Sequence, residues 1–381
     1  MTPGAPAVAR AGAAERERLL GDFVVLCEIE SPSGRERGVA DWVTRELRDV
    51  GLEVQEDQSA AETGSEAGNL LARIDGPEGA PTVLLCAHLD TVPLDGPVEV
   101  VREADAFHNR HEAILGADNK AAVALLLALA RRYVEQPPPV GLELLFTTCE
   151  ERALAGIKAL EGSVLRSSFG FVFDHASAIG ELIVAAPTYH RIEVRLHGQA
   201  AHAGIRPEDG RNAIEAAASA VARLELGRID EGTTANVGLI AGGSAPNVVA
   251  EHCRVVLEVR SLDDARAGEV VTGVVDTFTE AASDGECDLE VDVQEQFRAY
   301  RLPRSSSPVL VASAALEALG IEPRLVATGG GSDANVLMVR GLPCLNVANG
   351  TERNHQPDER VSIGSLETML DLGLEMVARC A

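Results

Sequence analysis

Two histidines and several carboxylates of this chain fall where apolar runs end. His88 and Asp90 follow VLLCA, and Asp118 follows ILGA. Glu150 and Glu151 follow LELLFTTC, Asp174 follows FGFVF, and His355 lies just beyond CLNVANG. Each has an ordinary reading on its own. A His-x-Asp pair can be a hydrogen-bonded loop, Asp118 a helix N-cap, and Glu150-Glu151 a favourable first turn on a helix dipole. Taken together they are the residue types that bind a divalent cation through imidazole nitrogen and carboxylate oxygen. Several carboxylates gathered at one rim repel one another unless a cation sits among them. Two such ions suit amide hydrolysis, because together they polarise a carbonyl and lower the pKa of a water. On this reading His88, Asp118, Glu151, Asp174 and His355 are metal ligands, one carboxylate being shared between two zinc ions per subunit, with cobalt or manganese as substitutes. Asp90 orients His88 and fixes its tautomer. Glu150 stands next to a ligand without being needed as one, which makes it the general base.

For these residues to meet, the apolar runs must be strands of one sheet whose carboxyl ends share an edge, the usual ligand site of an open parallel sheet. TVLLCA, LELLFTTC, FGFVF and CLNVANG are near-continuous apolar runs. Helical patterns lie between and around them, in NKAAVALLLALARRY, ERALAGIKALEG, SPVLVASAALEALG and SLETMLDLGLEMVAR. That alternation predicts an α/β fold with a mostly parallel sheet covered by helices on both faces. Two further helices are expected over 13–29 and 34–50. The second has Ser33 as N-cap, Glu36 as its capping-box partner and Gly51 just past its end. The segment from Ser59 to Gly68 reads as a polar loop.

Residues 187–294 change character. HRIEVRLHG, TTANVGLIAGG, HCRVVLEVRSL and CDLEVDVQEQF read as strands, and GRNAIEAAASAVARLELG and DDARAGEVVTGVVDTFTEAASDG as helices. The order β-α-β-β-α-β is the ferredoxin-like motif. The expected organisation is therefore a catalytic domain of residues 1–186 and 295–381 with a ferredoxin-like domain, 187–294, inserted into it.

Composition narrows the partners. The chain has 381 residues, and Lys+Arg 33 against Asp+Glu 59 gives a formal net charge of -26. Nucleic acid and anionic membrane surfaces attract basic patches and are poor candidates. The start, MTPGAPAVARAGAAERERLL, shows no apolar signal region. The longest apolar run, AAVALLLALA, falls well short of the roughly 20 residues that span a bilayer. The seven cysteines show no CxxC spacing, and several lie in apolar runs, where a thiol packs as a small hydrophobe. A cytoplasmic location is expected. GGGSDAN, 329–335, lacks the GxGxxG order of a dinucleotide loop.

HLDTVP, GADNKAA, TTCEE, FVFDHAS, GQAAHAGIRPEDGRNAI, SAPNVVAEHCRVVLEVRSLD, GGGSDAN and NHQPDE occur in this order along the chain. The set resembles the M20 metallopeptidases, the peptidase T branch most of all, from about residue 15 to the C-terminus. The resemblance implies that His88, Asp118 and Asp174 hold one zinc and that Asp118, Glu151 and His355 hold the other, with Asp118 bridging. It gives Asp90 the supporting acid's place and Glu150 that of the general base. It implies a cis peptide bond after Asp118, and it makes the inserted domain a lid. Asn119 stands where the peptidase T pattern usually has Asp. His202 matches a histidine that stabilises the oxyanion, in many dimeric members from the partner subunit, which implies a homodimer through the lid. Asn247 and Arg260 match residues that bind a substrate carboxylate, a task suited to the planar guanidinium fork. Gly330 and Ser332 fall in a loop that lies near the substrate. Asp rather than Glu at 174 resembles the aminopeptidase and dipeptidase members, so the implied activity is an aminopeptidase on di- and tripeptides. An M20-type carboxypeptidase or N-acyl amino acid amidohydrolase is the alternative. A catalytically silent binding protein on the same fold is the third reading, and the intact Glu150 argues against it.

Overall fold

The computed structural model describes residues 8–381, which form two compact units. The first is built from the chain up to Val184, Arg301–Ala327 and Ser332–Ala381, and the second from Ala185–Tyr300 with Thr328–Gly331. The strands that matter here are β1 (Leu70–Ile74), β2 (Thr82–His88), β3 (Gly141–Thr147), β4 (Phe169–His175), β5 (Thr188–His197), β6 (Thr233–Gly242), β7 (His252–Ser261), β8 (Asp288–Phe297) and β9 (Cys344–Ala348). The helices are α1 (Ala13–Glu28), α2 (Arg37–Asp49), α3 (Ala117–Glu135), α4 (Ala213–Arg223), α5 (Asp264–Asp284), α6 (Ser307–Ala318), α7 (Asp333–Val339) and α8 (Ile363–Ala378).

In the first unit the central order is β1-β3-β2-β4-β9. β3, β4 and β9 run parallel to their neighbours across β2, while β1 pairs antiparallel at one side and the strand Glu181–Ala186 at the other. From Val83 to His88 every residue of β2 is buried. Successive strand residues point to opposite faces, so both faces of the sheet are covered, and the expected α/β class with a mostly parallel sheet holds. α3 is buried along most of its length, with α1 and α8 packed against it. The register sets His88 beside Thr147 and Cys86 beside Val172. That levels the carboxyl ends of β2, β3 and β4, so whatever follows each strand emerges at one edge.

Four local readings differ from expectation. Residues 59–68 contain a short helix, Ser59–Thr63. ERALAGIKALEG opens with a turn and is α-helical only over Ala155–Ala159. α2 starts at Arg37 with Glu36 as its N-cap residue, and neither Ser33 nor the Glu36 side chain caps it; both are used elsewhere, as shown below. A small sheet of Thr351–Glu352, Arg360–Ser362, Ala106–Asn109 and Val100–Glu103 was not anticipated, because its strands are too short to carry an alternating pattern. Residues 353–359, including His355, form the loop between two of them.

The second unit is an antiparallel sheet ordered β6-β7-β5-β8, with a fifth strand, Gly227–Asp230, added at the β6 edge. Ile192, Val194, Leu196, Val255, Leu257 and Val259 alternate along β5 and β7 and pack under α4 and α5 with Ala217 and Phe278. The intervening residues, among them Arg191, Glu193, Arg195 and Arg254, occupy the opposite face. Among the described residues no helix is long and apolar enough to cross a membrane.

Candidate active site

His88 ends β2 and is buried. Its Nδ1 lies 2.9 Å from the Asp90 carbonyl oxygen. A carbonyl only accepts, so Nδ1 carries the proton. Nε2 then faces Asp118 Oδ1 and Asp174 Oδ1, each at 3.5 Å. On the far side of Asp118, Oδ2 lies 3.3 Å from His355 Nε2, which is also 2.7 Å from Glu151 Oε1. The two oxygens of one carboxylate thus face two different imidazoles. Asp118 Oδ1 is buried without a hydrogen-bond partner. Donor atoms of His88, Asp118 and Asp174 lie within 4.8 Å of one another, as do those of Asp118, Glu151 and His355 and those of His88, Glu150 and Glu151. All six side chains belong to the first unit. The Asp118–Asn119 peptide bond is cis, as the resemblance implied.

Asp90 does more than orient His88, and by a different route from the one expected. The imidazole is held by its main-chain carbonyl, whereas its carboxylate is 3.6 Å from Nδ1. That carboxylate accepts the backbone N–H of Glu150 (2.9 Å), the N–H of Glu151 (3.1 Å) and the Ser33 hydroxyl (2.5 Å). Glu36 Oε1 accepts the Cys149 N–H at 3.0 Å, and Asn69 Oδ1 accepts the Thr148 N–H at 3.0 Å. Four successive amides, 148–151, are therefore fixed by side chains from elsewhere. A Cβ on Gly156 would lie 1.9 Å from the Thr148 carbonyl oxygen, so only glycine lets the following turn close against this segment.

Sequence reasoning missed two further supports. Glu359 is buried, accepting Leu115 N–H (2.9 Å) and Gly116 N–H (2.7 Å) on Oε2 and Asp118 N–H (2.9 Å) on Oε1. It ends the NHQPDE motif, so its place was marked though its task was not. Asn346, inside β9, accepts the Asp174 N–H at 3.0 Å and donates to the Asp174 carbonyl at 2.9 Å.

Burial pushes the Glu150 carboxyl well above the usual carboxylate range, and nearby Asp174 adds to the push. Burial raises Glu151 and Asp174 as well. Asp118 goes the other way: burial opposes its charge, but His355 and His88 hold its carboxyl well below the usual range. Asp118 and Glu151 push His355 up to about 10. Burial opposes charge on His88, yet Asp174, Asp118 and Asp90 lift it well above the ordinary imidazole value. These directions belong to the protein groups alone. The residues fit a pair of divalent cations: three carboxylates and two imidazoles converge, one carboxylate faces both imidazoles, and one of its buried oxygens has no protein partner. Bound dications would replace the protons that the clustered acids otherwise retain.

The remaining expected site residues divide between the units. His202 is exposed in the second unit, and its Nδ1 accepts the Gly204 N–H at 3.2 Å, leaving Nε2 to carry the proton. The Asn247 carbonyl accepts the Ala203 N–H beside it at 3.0 Å. Arg260 stacks over Tyr189, 4.3 Å from the ring centroid, and its fork grips Glu258 on its own strand through two 3.2 Å contacts. Gly330 belongs to the second unit, where its N–H meets Thr328 Oγ1 at 3.1 Å. Ser332 belongs to the first, where it is the N-cap residue of α7 and its N–H meets Asn335 Oδ1 at 3.1 Å.

Residues 84–379 match peptidase family M20/M25/M40. The chain belongs to this family and to its peptidase T-like branch. The crystal structure of the aminopeptidase PepT from Bacillus cereus is 33% identical, superimposes with a TM-score of 0.87 and covers 96% of this chain and 98% of its own. A tripeptidase from Staphylococcus aureus is 32% identical, with a TM-score of 0.91 and the same coverage. A putative succinyl-diaminopimelate desuccinylase of Mycobacterium tuberculosis is 30% identical over 366 residues, 91% of this chain and 94% of that one.

Proposed function

We propose that this protein is a zinc-dependent exopeptidase of short peptides, an aminopeptidase acting on di- and tripeptides. His88, Asp118 and Asp174 would hold one ion and Asp118, Glu151 and His355 the other. The carrying observation is the His88–Asp118–Asp174 contact. With Nδ1–H committed to a carbonyl, Nε2 is left facing two carboxylate oxygens. Such a meeting of acceptors is repulsive without a proton or a cation between them. Zinc, when bound, polarises the scissile carbonyl and acidifies water.

The chain's own residues do the rest. Glu150, raised by burial, accepts a proton from the attacking water and returns it to the leaving amine. Asp90 keeps Glu150 in place by holding its main-chain N–H. His202 is assigned to the oxyanion on the family resemblance and on its protonated Nε2, either within its own chain or across a homodimer built through the second unit. Asn247, Arg260, Gly330 and Ser332 are assigned to substrate contact on the resemblance alone. For Arg260 this requires a substrate carboxylate to exchange with Glu258, and Ser332 would act through the start of α7. A short peptide in the cytoplasm, with neither nucleic acid nor membrane as partner, completes the reading.

The likeness to an aminopeptidase and a tripeptidase supports the amino-terminal preference, while the desuccinylase relative favours the second reading, an N-acyl amino acid amidohydrolase or carboxypeptidase. Free, N-acetylated and C-amidated tripeptides separate them. Cleavage lost on acetylation and kept on amidation supports the aminopeptidase; the reverse pattern overturns it. Glu150→Gln should retain its metal and lose about 10²–10⁴-fold in turnover. Unchanged hydrolysis by a metal-loaded Glu150→Gln protein would remove Glu150 from the role.

A further inference from the structure

On the sheet face of the second unit that α4 and α5 leave open, two histidines meet. His252, at the start of β7, is directly opposite His197, at the end of β5, and His197 is directly opposite Asp288, at the start of β8. Ladder partners on one face have side chains within reach of each other, and here the two rings approach closely. Their Nδ1 atoms are 3.0 Å apart, with ring centroids 5.1 Å apart. Each ring turns its other nitrogen toward a carboxylate. His197 Nε2 is 4.0 Å from Glu290 Oε2, and His252 Nε2 is 3.7 Å from Glu251 Oε2. A carboxylate near one ring nitrogen favours the proton there and leaves the other nitrogen bare, the arrangement typical of metal-bound histidine. With a proton on one Nδ1 the pair is a hydrogen bond; with both protons on Nε2, two lone pairs 3.0 Å apart face each other and a cation can take the place of the shared proton.

We propose that His197 and His252 form a second metal site, separate from the catalytic residues, that takes one borderline divalent transition metal through both Nδ1 atoms. The spacing selects among metals. With metal–nitrogen bonds of about 2.0–2.1 Å, a 3.0 Å separation subtends roughly 95° at the metal. That is nearer the cis angle of tetragonal copper(II) or nickel(II) than the tetrahedral angle of zinc. Asp288 occupies the same row of the ladder. Arg195 and Arg254 occupy the next row of this face and oppose a cation. Both are drawn to Glu193, Arg195 at 2.5 Å and Arg254 at 2.8 Å, and Arg195 also lies 3.9 Å from Glu290. With Asp288, Glu251 and Glu290 close by, the acids outnumber these arginines. Nothing in the peptidase reading uses this pair, so the site stands or falls independently of that reading.

Copper(II) titrated into zinc-loaded protein, followed by calorimetry and electron paramagnetic resonance, tests it. One equivalent should bind, with hyperfine structure from two nitrogen donors. His197→Ala and His252→Ala should each abolish that equivalent while tripeptide hydrolysis is unchanged, and His88→Ala should keep it. Glu290→Gln should weaken it about 10–100-fold, as loss of a partner to a liganding imidazole does. Equal copper uptake by wild type and the His197→Ala/His252→Ala double variant overturns the proposal. So does nitrogen-15 NMR showing one proton shared between the two Nδ1 atoms that saturating copper fails to displace.

Discussion

Replacing Glu359 by alanine isolates a contribution that none of the proposed ligand residues makes. The carboxylate is buried and collects three main-chain N–H groups, those of Leu115, Gly116 and Asp118, at 2.7–2.9 Å. Without it, three donors lose their shared acceptor. A buried donor left unpaired costs about 1–3 kcal/mol, and water entering the vacated space would satisfy some of the three. The net loss is therefore roughly 3–5 kcal/mol, not the full sum. At about 2 °C per kcal/mol for a unit of this size, Tm should fall by roughly 6–10 °C. Metal affinity should also fall, by about 10–100-fold, because the loop that aims Asp118 loses its anchor. Glu359→Gln separates acceptor from shape. Its single carbonyl oxygen can serve the Leu115–Gly116 pair or Asp118 but not both, so it should fall between wild type and alanine on both measures. Differential scanning calorimetry and competitive zinc titration report the two quantities. An alanine variant with wild-type Tm and wild-type zinc affinity would refute the anchoring argument, and a glutamine variant worse than alanine would show that the charge, not the acceptor count, matters.

Other outcomes follow from the same geometry. Stripping metal should abolish activity and lower Tm, and zinc at 100 times its Kd should restore about 2.7 kcal/mol per site; an unchanged melt on zinc addition counts against the whole cluster. His202→Ala should lower turnover by about 10²–10³-fold with little change in Tm, since it removes one oxyanion donor from an exposed position; unaltered kcat removes it from the reaction. Glu193 is gripped by Arg254, Arg191 and Arg195, which hold its carboxyl well below its ordinary value of 4.5. A depressed acid stabilises the fold above its unfolded pKa and loses that contribution as pH falls through the folded one. Melts of wild type should therefore weaken below about pH 4.5 more steeply than those of Glu193→Gln, and parallel curves would sink the assignment.

The clustering of the residues proposed as ligands was legible in the sequence and their supports were not, for a physical reason. His88, Glu151 and Asp174 announce themselves because an apolar strand that ends in a charged side chain has brought that side chain to the sheet edge, and the parallel register then levels the strand ends. Ser33, Glu36, Asn69, Asn346 and Glu359 hold the site mainly through backbone N–H and C=O groups. Every residue carries those groups, so no residue type at the receiving end reveals the partner. Ser33 and Glu36 show how this misleads. Their spacing matches a capping box, and the local reading assigns both to the start of α2, yet the structure spends them on Asp90 and on the amide of Cys149. A serine and a glutamate three apart satisfy whichever amides or acids the fold brings within reach, and here the tertiary partners win because the 148–151 segment is buried with no strand or helix of its own to pair its N–H groups. The same logic explains Asp90. Sequence spacing identified it as the residue behind His88, but it could not show that the carbonyl would hold the imidazole while the carboxylate held the turn bearing Glu150 and Glu151. One residue therefore fixes both the His88 ring, with Nε2 turned to the proposed metal site, and the proposed base. Asp90→Asn should accordingly disturb Glu150 more than His88, since the carbonyl is untouched while one of the two oxygens receiving the amides of Glu150 and Glu151 becomes a donor. Turnover should drop more than zinc affinity, and the opposite order would return Asp90 to the simpler role of aligning the imidazole.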